Sequence, residues 1–369
     1  MRILITTNVR CPLSSATAGM ELSSMDLVGS LAAGSAAHGW ELCVVAHPDT
    51  RLPAGVTLVP APILPCPPEY ASEGGGASKW ASVSGEAALQ VALEGVPAPD
   101  LVHDQSEYVS VALAAWRRGL PYVRTVRLMP HHPSSAAVAR IAPERVYISE
   151  YQSRHDRWGV EGRGRVMRDL VAVEPPPVPP SAAAPHAVSI GRVEPRKGHH
   201  LSAEIARREG LALKVVGPVL DPEYARRLQE RGDVELLGER PREEVLGALA
   251  SAQALVWCPT AREPGGRVVI ESLRLGTPVL ARAIGYACDL GGRRGAPAHC
   301  STKGLDWPFP EPLVRITALG SDWPSSRTEV ADAHRRLYGD LLAARARERP
   351  ILARAPSSAR EPGPARRER

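Results

Sequence analysis

The chain has 369 residues, 44% of them apolar, with 36 Pro, 32 Gly and a single Phe. This length exceeds what one hydrophobic core usually supports, so we expect two domains. The formal net charge is +5, but eight Arg and three Glu between Arg345 and Arg369 carry the whole excess. The Pro/Ala/Arg-rich composition of this tail predicts disorder. Because no basic stripe with interspersed aromatics occurs elsewhere, nucleic-acid binding is not expected.

The cysteines and the apolar runs indicate the compartment. The six Cys residues are scattered, without Cys-x-x-Cys or Cys/His metal spacing, so neither a disulfide scaffold nor a zinc site is expected. No run of 18 apolar residues occurs, and the apolar start at Met1 is too short for a signal peptide. These features predict a cytoplasmic protein without a transmembrane segment, and they leave contact with a membrane surface open.

The first half of the chain alternates strands with helices. Strands are predicted at Arg2–Thr6 and Glu41–Ala46, with a helix from about residue 19 to residue 38 between them. Shorter strands are predicted at 101–103 and 145–149. A strand–helix–strand opening of this kind implies a parallel sheet with right-handed crossovers.

A proline-rich segment then divides the chain. Six prolines lie between Glu174 and Pro185, which predicts a semi-rigid linker. Strands are predicted beyond it at Ala187–Ile190, Ala212–Val216, Val234–Leu237 and Ala254–Cys258, and helices at 198–209, 222–231 and 242–251. The expected fold class is therefore α/β, with two doubly wound Rossmann-like domains facing a central cleft where ligands bind.

The segment from Glu263 to Glu271 carries the strongest chemical signal. It reads Glu-Pro-Gly-Gly-Arg-Val-Val-Ile-Glu and follows a predicted strand. A strand, a Gly-rich turn and a helix start present free backbone N–H groups and the positive end of the helix dipole to an anion. Carboxylates at both ends accept hydrogen bonds from hydroxyl groups. The segment predicts a site for a sugar and a diphosphate together.

Five motifs in a fixed order carry a resemblance to a known family. They are 191–198 (Gly-Arg-Val-Glu-Pro-Arg-Lys-Gly), 216–217 (Val-Gly), 237–238 (Leu-Gly), 263–271 and 276–279 (Gly-Thr-Pro-Val). In this order they resemble the C-terminal half of retaining glycosyltransferases of family 4, which have the GT-B architecture. The resemblance is close over 187–290 and looser over 1–50 and 97–160, and its nearest type is actinobacterial enzymes of antibiotic or cell-envelope glycosylation.

The resemblance implies roles for four charged side chains. Arg192 and Lys197 match the cations that stabilise the departing diphosphate, where negative charge develops in the transition state. Glu263 is expected to bind donor-sugar hydroxyls, and Glu271 the ribose hydroxyls. The alternatives are solvated loop residues for the two cations, a partner of the helix dipole for Glu263, and an exposed helix residue for Glu271.

Further nucleotide-sugar contacts are implied mainly for backbone groups. The positions are Gly19 in the N-terminal half, Gly191, Gly217, Gly238 and Arg240 after the strands of the second half, and the phosphate-binding N–H groups of Gly265, Gly266 and Arg267. Gly19 is the only glycine present where the family usually has two.

The N-terminal half departs from the family pattern at a position near the donor sugar. Family members often have His-x-His after a central strand, whereas this chain has His103-Asp104-Gln105. Gln105 can hydrogen-bond a sugar hydroxyl but cannot titrate, so the resemblance implies front-face transfer in which the leaving phosphate helps to deprotonate the acceptor. His103 and Gln105 are candidate catalytic residues, and structural polar residues at a strand end are the alternative.

The resemblance also implies a domain organisation. We expect an N-terminal acceptor domain at 1–172, a linker at 173–186, a C-terminal nucleotide-sugar domain at 187–325, a helix at 326–345 that returns to the first domain, and a disordered tail at 346–369. After Asp289 the family pattern has an apolar strand, whereas Gly/Arg-rich and Trp/Pro-rich segments stand here. An abbreviated end of the second domain is therefore expected.

The leading functional prediction is a hexosyltransferase-like enzyme. It would transfer a sugar from a UDP- or GDP-sugar to a small-molecule, glycan or lipid-linked acceptor, without a cofactor or a metal ion. The alternative is a catalytically weak or silent nucleotide-sugar-binding protein of the same fold. A nicotinamide dehydrogenase is less expected, because no Gly-x-Gly-x-x-Gly follows the first strand.

Overall fold

The computed structural model contains two seven-stranded sheets interleaved with helices. The residues it describes are 1–13, 20–71, 76–106, 108–129, 133–141, 144–156, 164–174, 185–290, 298–300, 302–303 and 307–352. The predicted α/β class with two Rossmann-like, doubly wound domains is confirmed.

The first sheet is parallel throughout. Its strands are β1 (Arg2–Thr6), β2 (Glu41–Ala46), β3 (Val56–Pro60), β4 (Leu101–Asp104), β5 (Tyr122–Val126), β6 (Arg145–Tyr147) and β7 (Gly164–Val166). Their order is β3-β2-β1-β4-β5-β6-β7. The helices are α1 (Met20–His38), α2 (Pro68–Ala71), α3 (Gly76–Glu94), α4 (Val109–Arg117), α5 (Pro133–Ile141) and α6 (Glu150–Arg154). Ile3, Leu4 and Ile5 of β1 are buried, as expected of a central strand covered on both faces.

The second sheet begins after the proline-rich segment. Its strands are β8 (His186–Ile190), β9 (Ala212–Val216), β10 (Val234–Gly238), β11 (Ala254–Trp257), β12 (Val279–Arg282), β13 (Ala298–Cys300) and β14 (Leu313–Ile316). The helices are α7 (His199–Arg208), α8 (Pro222–Gln229), α9 (Arg242–Ser251), α10 (Arg267–Arg274) and α11 (Gly285–Leu290), followed by α12 (Arg327–Leu352). The strand order is β10-β9-β8-β11-β12-β14-β13.

The second domain ends differently from the expectation. Strand β14 pairs antiparallel with β12, and β13 pairs antiparallel with β14. The second sheet therefore continues beyond β12 with two short strands that the sequence did not predict. The Trp/Pro-rich segment contributes to this end, because the Trp307 indole N–H donates to the carbonyl oxygen of Glu311 (3.0 Å).

Helix α12 packs on the first domain. Val330, Leu337, Tyr338 and Leu341 belong to the hydrophobic cluster that also contains residues of β1, β2 and α1. The helix continues to Leu352, whereas the sequence predicts its end at 345 and a disordered tail from 346; the Ala and Arg residues that follow 345 have high helix propensity. Residues 353–369 lie outside the described residues.

The boundaries of several elements differ from the expectation by one or two residues, and two of them lie where the domains join. Strand β8 begins at His186, one residue inside the predicted linker, most of which lies outside the described residues. Strand β6 ends at Tyr147 rather than Ser149, because Ser149 caps α6 instead, its Oγ accepting from the backbone N–H of Gln152 (3.0 Å).

The order of the strands fixes where a ligand can bind. In each sheet the strand order reverses beside a central strand, between β1 and β4 in the first and between β8 and β11 in the second. Ligands of doubly wound folds bind in the crevice at the carboxyl ends of strands at such points. Ile148 and Tyr151 of the first domain join the hydrophobic cluster of the second, so an apolar contact links the domains beside this edge.

Candidate functional site

Three glycines lie at the carboxyl ends of β8, β9 and β10, at one edge of the second sheet. Gly191 and Gly217 have φ values of 147° and 148°, and Gly238 has 74°. A Cβ atom added at Gly217 would lie 2.1 Å from the carbonyl oxygen of Gly191. The Gly217 N–H donates to the carbonyl oxygen of Gly238 (2.9 Å). The structure thus brings these three predicted residues together, and the close approach at Gly217 leaves no room for a Cβ atom.

Lys197 and Glu263 form an ion pair at the same edge. Lys197 ends a 3₁₀ turn, Pro195–Lys197, and its Nζ donates to Oε1 of Glu263 at 2.7 Å. Both side chains are about one-fifth exposed. The next residue, Gly198, has φ 68°, and a Cβ there would lie 1.9 Å from the carbonyl oxygen of Cys258. This close approach holds the Lys197 turn against the end of β11.

Arg192 stands beside this pair with its side chain half exposed. Its Nη2 lies 2.9 Å from Oε1 of Glu194. Its carbonyl oxygen is 3.1 Å from Nε2 of the buried His199. Burial lowers the pKa of His199 to about 4, so this imidazole is neutral at pH 7 and supports the loop without adding charge.

The Gly265–Gly266 turn is held by close contacts from both domains. A Cβ at Gly265 would lie 3.1 Å from Cδ1 of Ile148 and 3.1 Å from the ring of Tyr286, and one at Gly266 would lie 2.6 Å from the ring of Trp257. Within the described residues, the backbone N–H groups of Gly265, Gly266 and Arg267 form no hydrogen bond. Three free N–H groups at the start of α10 are therefore available to an anion.

Glu271 lies one turn into α10 and is only 4% exposed. Its Oε1 accepts from Arg267 Nε at 2.8 Å and from Arg242 Nη2 at 2.9 Å. Arg267 also reaches the first domain, since its Nη2 lies 2.7 Å from Oδ2 of Asp26 on α1. Burial raises the pKa of the Asp26 carboxyl. Glu271 is thus a buried, doubly paired carboxylate and not an exposed helix residue.

His103 and Gln105 lie inside the first domain. His103 is fully buried and Gln105 is 2% exposed. Arg127 donates to Oε1 of Gln105 through Nη2 (2.7 Å) and Nε (3.1 Å), which leaves the Gln105 amide N–H to donate to Nε2 of His103 (2.8 Å). Nδ1 of His103 therefore carries the proton and donates to the hydroxyl of Tyr338 (2.6 Å).

The burial of His103 has an electrostatic consequence. Burial holds the pKa of its imidazole well below the usual value of 6.5, and the nearby Arg127 acts in the same direction. Both ring nitrogens have partners within the domain, because Nε2 also lies 2.8 Å from Oγ1 of Thr125. The structure thus gives His103 the surroundings of a neutral residue that joins β4 to α12.

A chain of polar contacts connects Gln105 to the Gly265 turn. Arg127 pairs with Asp169, and Oδ2 of Asp169 accepts from the Tyr286 hydroxyl at 3.4 Å. The backbone N–H of Tyr286 donates to the carbonyl oxygen of Gly265 (2.7 Å). The two groups of predicted residues are therefore linked through intermediate side chains, with no direct contact between them in the described parts of the chain.

Two predicted positions contribute less. Arg240 is half exposed and lies 3.8 Å from Oε2 of Glu244. Gly19 lies outside the described residues.

Among the residues that the structure describes, no cluster of His, Cys, Asp or Glu has the arrangement of a metal site, and no helix is long and apolar enough to span a bilayer.

Sequence reasoning missed a second contact between the domains. Asp289, at the end of α11, accepts from the backbone N–H groups of Glu150 (2.9 Å) and Tyr151 (3.2 Å) at the start of α6. Burial raises the pKa of Asp289 to about 6. Ser149 adds a hydrogen bond to the carbonyl oxygen of Pro264. No local pattern signals these contacts, whereas the i, i+4 spacing of Arg267 and Glu271 does signal their pairing.

The fold and this glycine-rich, cationic edge together define an α/β protein of two Rossmann-like domains with a candidate anion-binding site at the carboxyl edge of the second sheet. Residues 179–293, which contain Arg192, Lys197, Glu263 and Glu271, match the family described as glycosyl transferases group 1. Comparison with curated proteins gives no significant match.

Solved structures with the same architecture include proteins described as glycosyltransferases. AviGT4, a glycosyltransferase involved in avilamycin A biosynthesis, is 22% identical with a TM-score of 0.57, and the match covers 96% of this chain and 98% of that one. Anabaena Alr3699/HepE, solved with UDP and glucose, is 15% identical (TM-score 0.55; 94% and 95% covered). The catalytic domain of Arabidopsis thaliana starch synthase IV, bound to ADP and acarbose, is 13% identical (TM-score 0.61; 93% and 99% covered). The likeness establishes the GT-B fold, and with the family match it supports a glycosyltransferase.

Proposed function

We propose that the chain is a retaining, metal-independent glycosyltransferase of family 4 that uses a UDP- or GDP-sugar. The observation that carries the proposal is the Lys197–Glu263 ion pair (2.7 Å), which lies between the free N–H groups of the Gly265–Gly266 turn and the Arg192 loop. A cation, a carboxylate and free amide donors are what a nucleotide-diphosphate sugar requires at its phosphates and its sugar hydroxyls.

In this proposal Lys197 and Arg192 stabilise the leaving diphosphate. The bond between the anomeric carbon and the diphosphate oxygen breaks, and negative charge builds on that oxygen. The Lys197 ammonium has three donors, of which Glu263 takes one in the unliganded pair, so it can hold Glu263 and a phosphate oxygen together. Arg192 is half exposed and, among the described residues, forms an ion pair with Glu194 alone, so it can turn to the phosphate at little cost.

The rest of the donor is held by α10 and the preceding turn. The N–H groups of Gly265, Gly266 and Arg267 bind the phosphates at the helix N-terminus. Glu263 accepts from the sugar hydroxyls and Glu271 from the ribose hydroxyls, and the backbone at Arg240 lies beside the base. The presence of UDP and glucose in the HepE structure supports a UDP-sugar donor.

Transfer occurs on the front face of the sugar. The acceptor hydroxyl oxygen bonds to the anomeric carbon on the side that the diphosphate leaves, and its proton passes to a phosphate oxygen. The burial of His103 and Gln105 supports this route, since neither side chain offers an unpaired base to the cleft. The acceptor is a small molecule, a glycan or a lipid-linked compound, and the likeness to AviGT4 favours the antibiotic type.

The same burial favours a second candidate function. A protein that binds a nucleotide sugar without transferring it needs the donor residues but no arrangement for acceptor deprotonation. Slow hydrolysis of the donor by the purified chain, or transfer to any member of an acceptor panel, would support the enzyme. Donor binding without either reaction would support the silent protein.

Calorimetric titration with UDP, GDP and NAD tests the proposal first. We expect binding of UDP or GDP, and binding of NAD alone would refute both transferase-type functions.

Glu271→Ala should weaken nucleotide binding about 10-fold to 100-fold, because a buried charged acceptor is lost. Glu223→Ala, which removes an exposed glutamate of the same domain, is the matched control. Unchanged affinity in Glu271→Ala would remove this residue from the site.

Kinetics test the role of Lys197. Lys197→Ala should lower kcat about 100-fold, because one donor to a developing charge is removed, while donor binding falls much less. An equal loss in kcat and in donor affinity would mean that Lys197 acts in the ground state only.

A further inference from the structure

We propose that Asp26 and Arg267 position Glu271 and thereby couple nucleotide binding to the contact between the two domains. The inference rests on the proposed function of Glu271 as the ribose acceptor. Four side chains of alternating charge form a continuous row: Asp26 on α1, Arg267 and Glu271 on α10, and Arg242 at the start of α9. The row crosses from the first domain into the second.

The geometry at Glu271 leaves one oxygen for a ligand. Both arginines contact Oε1, and the described residues supply no hydrogen bond to Oε2. A carboxylate held through one oxygen by two guanidinium groups has a fixed orientation, so Oε2 points in one direction before a nucleotide arrives. Preorganisation of this kind raises affinity, because no side-chain freedom is lost on binding.

Arg267 is held in turn from the other domain. Nε faces Glu271 and Nη2 faces Asp26 at 2.7 Å, with side chains only 14% and 10% exposed. A lysine cannot bridge both carboxylates in this way, because its charge is concentrated at one nitrogen. Nη1 of Arg267 is buried without a hydrogen-bond partner among the described residues, and Nη2 and Asp26 Oδ2, although 2.7 Å apart, are not aligned as a hydrogen bond either. The attraction between Arg267 and Asp26 is therefore that of a close, buried charge pair. Without Asp26, Arg267 loses the contact that holds it against Glu271.

The coupling works in both directions. If the Asp26–Arg267 contact raises affinity for the nucleotide, then the bound nucleotide strengthens this contact by the same factor. The donor site and α1 of the acceptor domain are thereby linked across the cleft. Within the described part of the chain, the Asp26 carboxylate reaches the proposed ligand-binding groups only through Arg267, so it acts as a positioning residue.

Affinity for UDP, measured by calorimetry at 25 °C on folded protein, tests the inference. Asp26→Asn keeps the size of the side chain but removes its charge, and Arg267→Lys keeps the charge and the backbone N–H. Each should raise the Kd for UDP about tenfold, and the double variant should lose little more than either single variant, because both act through one chain of contacts. Asp322→Asn is the control, since it breaks another ion pair, with Arg168 at 3.0 Å, away from Glu271.

The outcomes separate three cases. If Asp26→Asn binds UDP with wild-type affinity and only its Tm is lowered, the inference is overturned. The Asp26–Arg267 pair would then stabilise the fold without affecting nucleotide binding. A tenfold loss in Asp322→Asn as well would also overturn it, because any loosening of the domains would then suffice. A wild-type chain that binds neither UDP nor GDP overturns the proposed function itself.

Hydrogen exchange provides a test that needs no variant. UDP should increase the protection of backbone amides around Asp26 in α1, on the domain opposite the donor site. Protection confined to the second domain would contradict the coupling, whether or not Asp26→Asn folds.

Discussion

Replacement of Gly198 by Ala should damage the donor site by displacing the turn that carries Lys197. Gly198 follows Lys197 and has φ 68°, a left-handed conformation that costs a non-glycine residue about 1 kcal/mol. The new Cβ would lie 1.9 Å from the carbonyl oxygen of Cys258, whereas real Cβ atoms do not approach within 3.0 Å. The Lys197 turn must therefore move by about 1 Å, and overpacking of this kind adds about 1–3 kcal/mol.

A second glycine isolates the effect of the close contact. Gly232 has φ 75°, but a Cβ added there meets no atom within 4 Å, so Gly232→Ala carries only the conformational cost of about 1 kcal/mol. We expect a total loss of about 2–4 kcal/mol for Gly198→Ala, visible as a lower denaturation midpoint in urea. Because the moved turn carries Lys197 away from Glu263, nucleotide affinity should also fall in this variant alone.

The urea midpoints and the nucleotide affinities of Gly198→Ala and Gly232→Ala test this prediction. Equal midpoints for Gly198→Ala and Gly232→Ala would refute the close packing of the Lys197 turn against β11. A stability loss without any change in nucleotide affinity would refute the argument that this packing positions Lys197.

Two further predictions concern buried polar groups: Asp289, which joins the two domains, and Tyr338, which joins α12 to β4. Burial raises the pKa of Asp289 from 3.8 to about 6, so the folded protein holds this proton more tightly than the unfolded chain. The resulting stabilisation is at most about 3 kcal/mol. It is fully present below pH 4 and is lost as the pH rises through 6. The stability of the wild type relative to Asp289→Asn should therefore fall between pH 4 and pH 7 in urea titrations, and a difference that does not vary with pH would contradict this. Tyr338→Phe removes the hydroxyl that accepts from His103 (2.6 Å) and should cost about 1–3 kcal/mol without changing UDP affinity; an unchanged denaturation midpoint would count against the buried bond.

The sequence predicted most elements of the second domain because their signals are local. Strand Ala212–Val216 and helix Arg242–Ser251 have the predicted bounds, since each apolar or periodic run is bordered by turn residues. Strand β14 was missed because its pairing with β12 depends on residues distant in the chain. A four-residue strand at Leu313 carries too little pattern to be recognised alone.

The candidate site likewise contains residues that sequence motifs predict and contacts that they do not. Lys197 and Glu263 were predicted from motifs at the ends of two strands, and topology brings such ends to one edge. The pairing of Glu271 with Arg242 and the contact of Arg267 with Asp26 were not predicted, because side chains from different helices meet only in the folded chain. His103 and Gln105 were predicted from a motif that does not reveal burial, and their partner Tyr338 comes from the last helix.

A crystal structure of the chain with UDP tests the central claim most directly. We predict the diphosphate at the N–H groups of Gly265, Gly266 and Arg267, within hydrogen-bond distance of Lys197, and the ribose hydroxyls on Glu271. UDP bound elsewhere, or with its ribose away from Glu271, would contradict the assignment of this edge as the donor site of a glycosyltransferase.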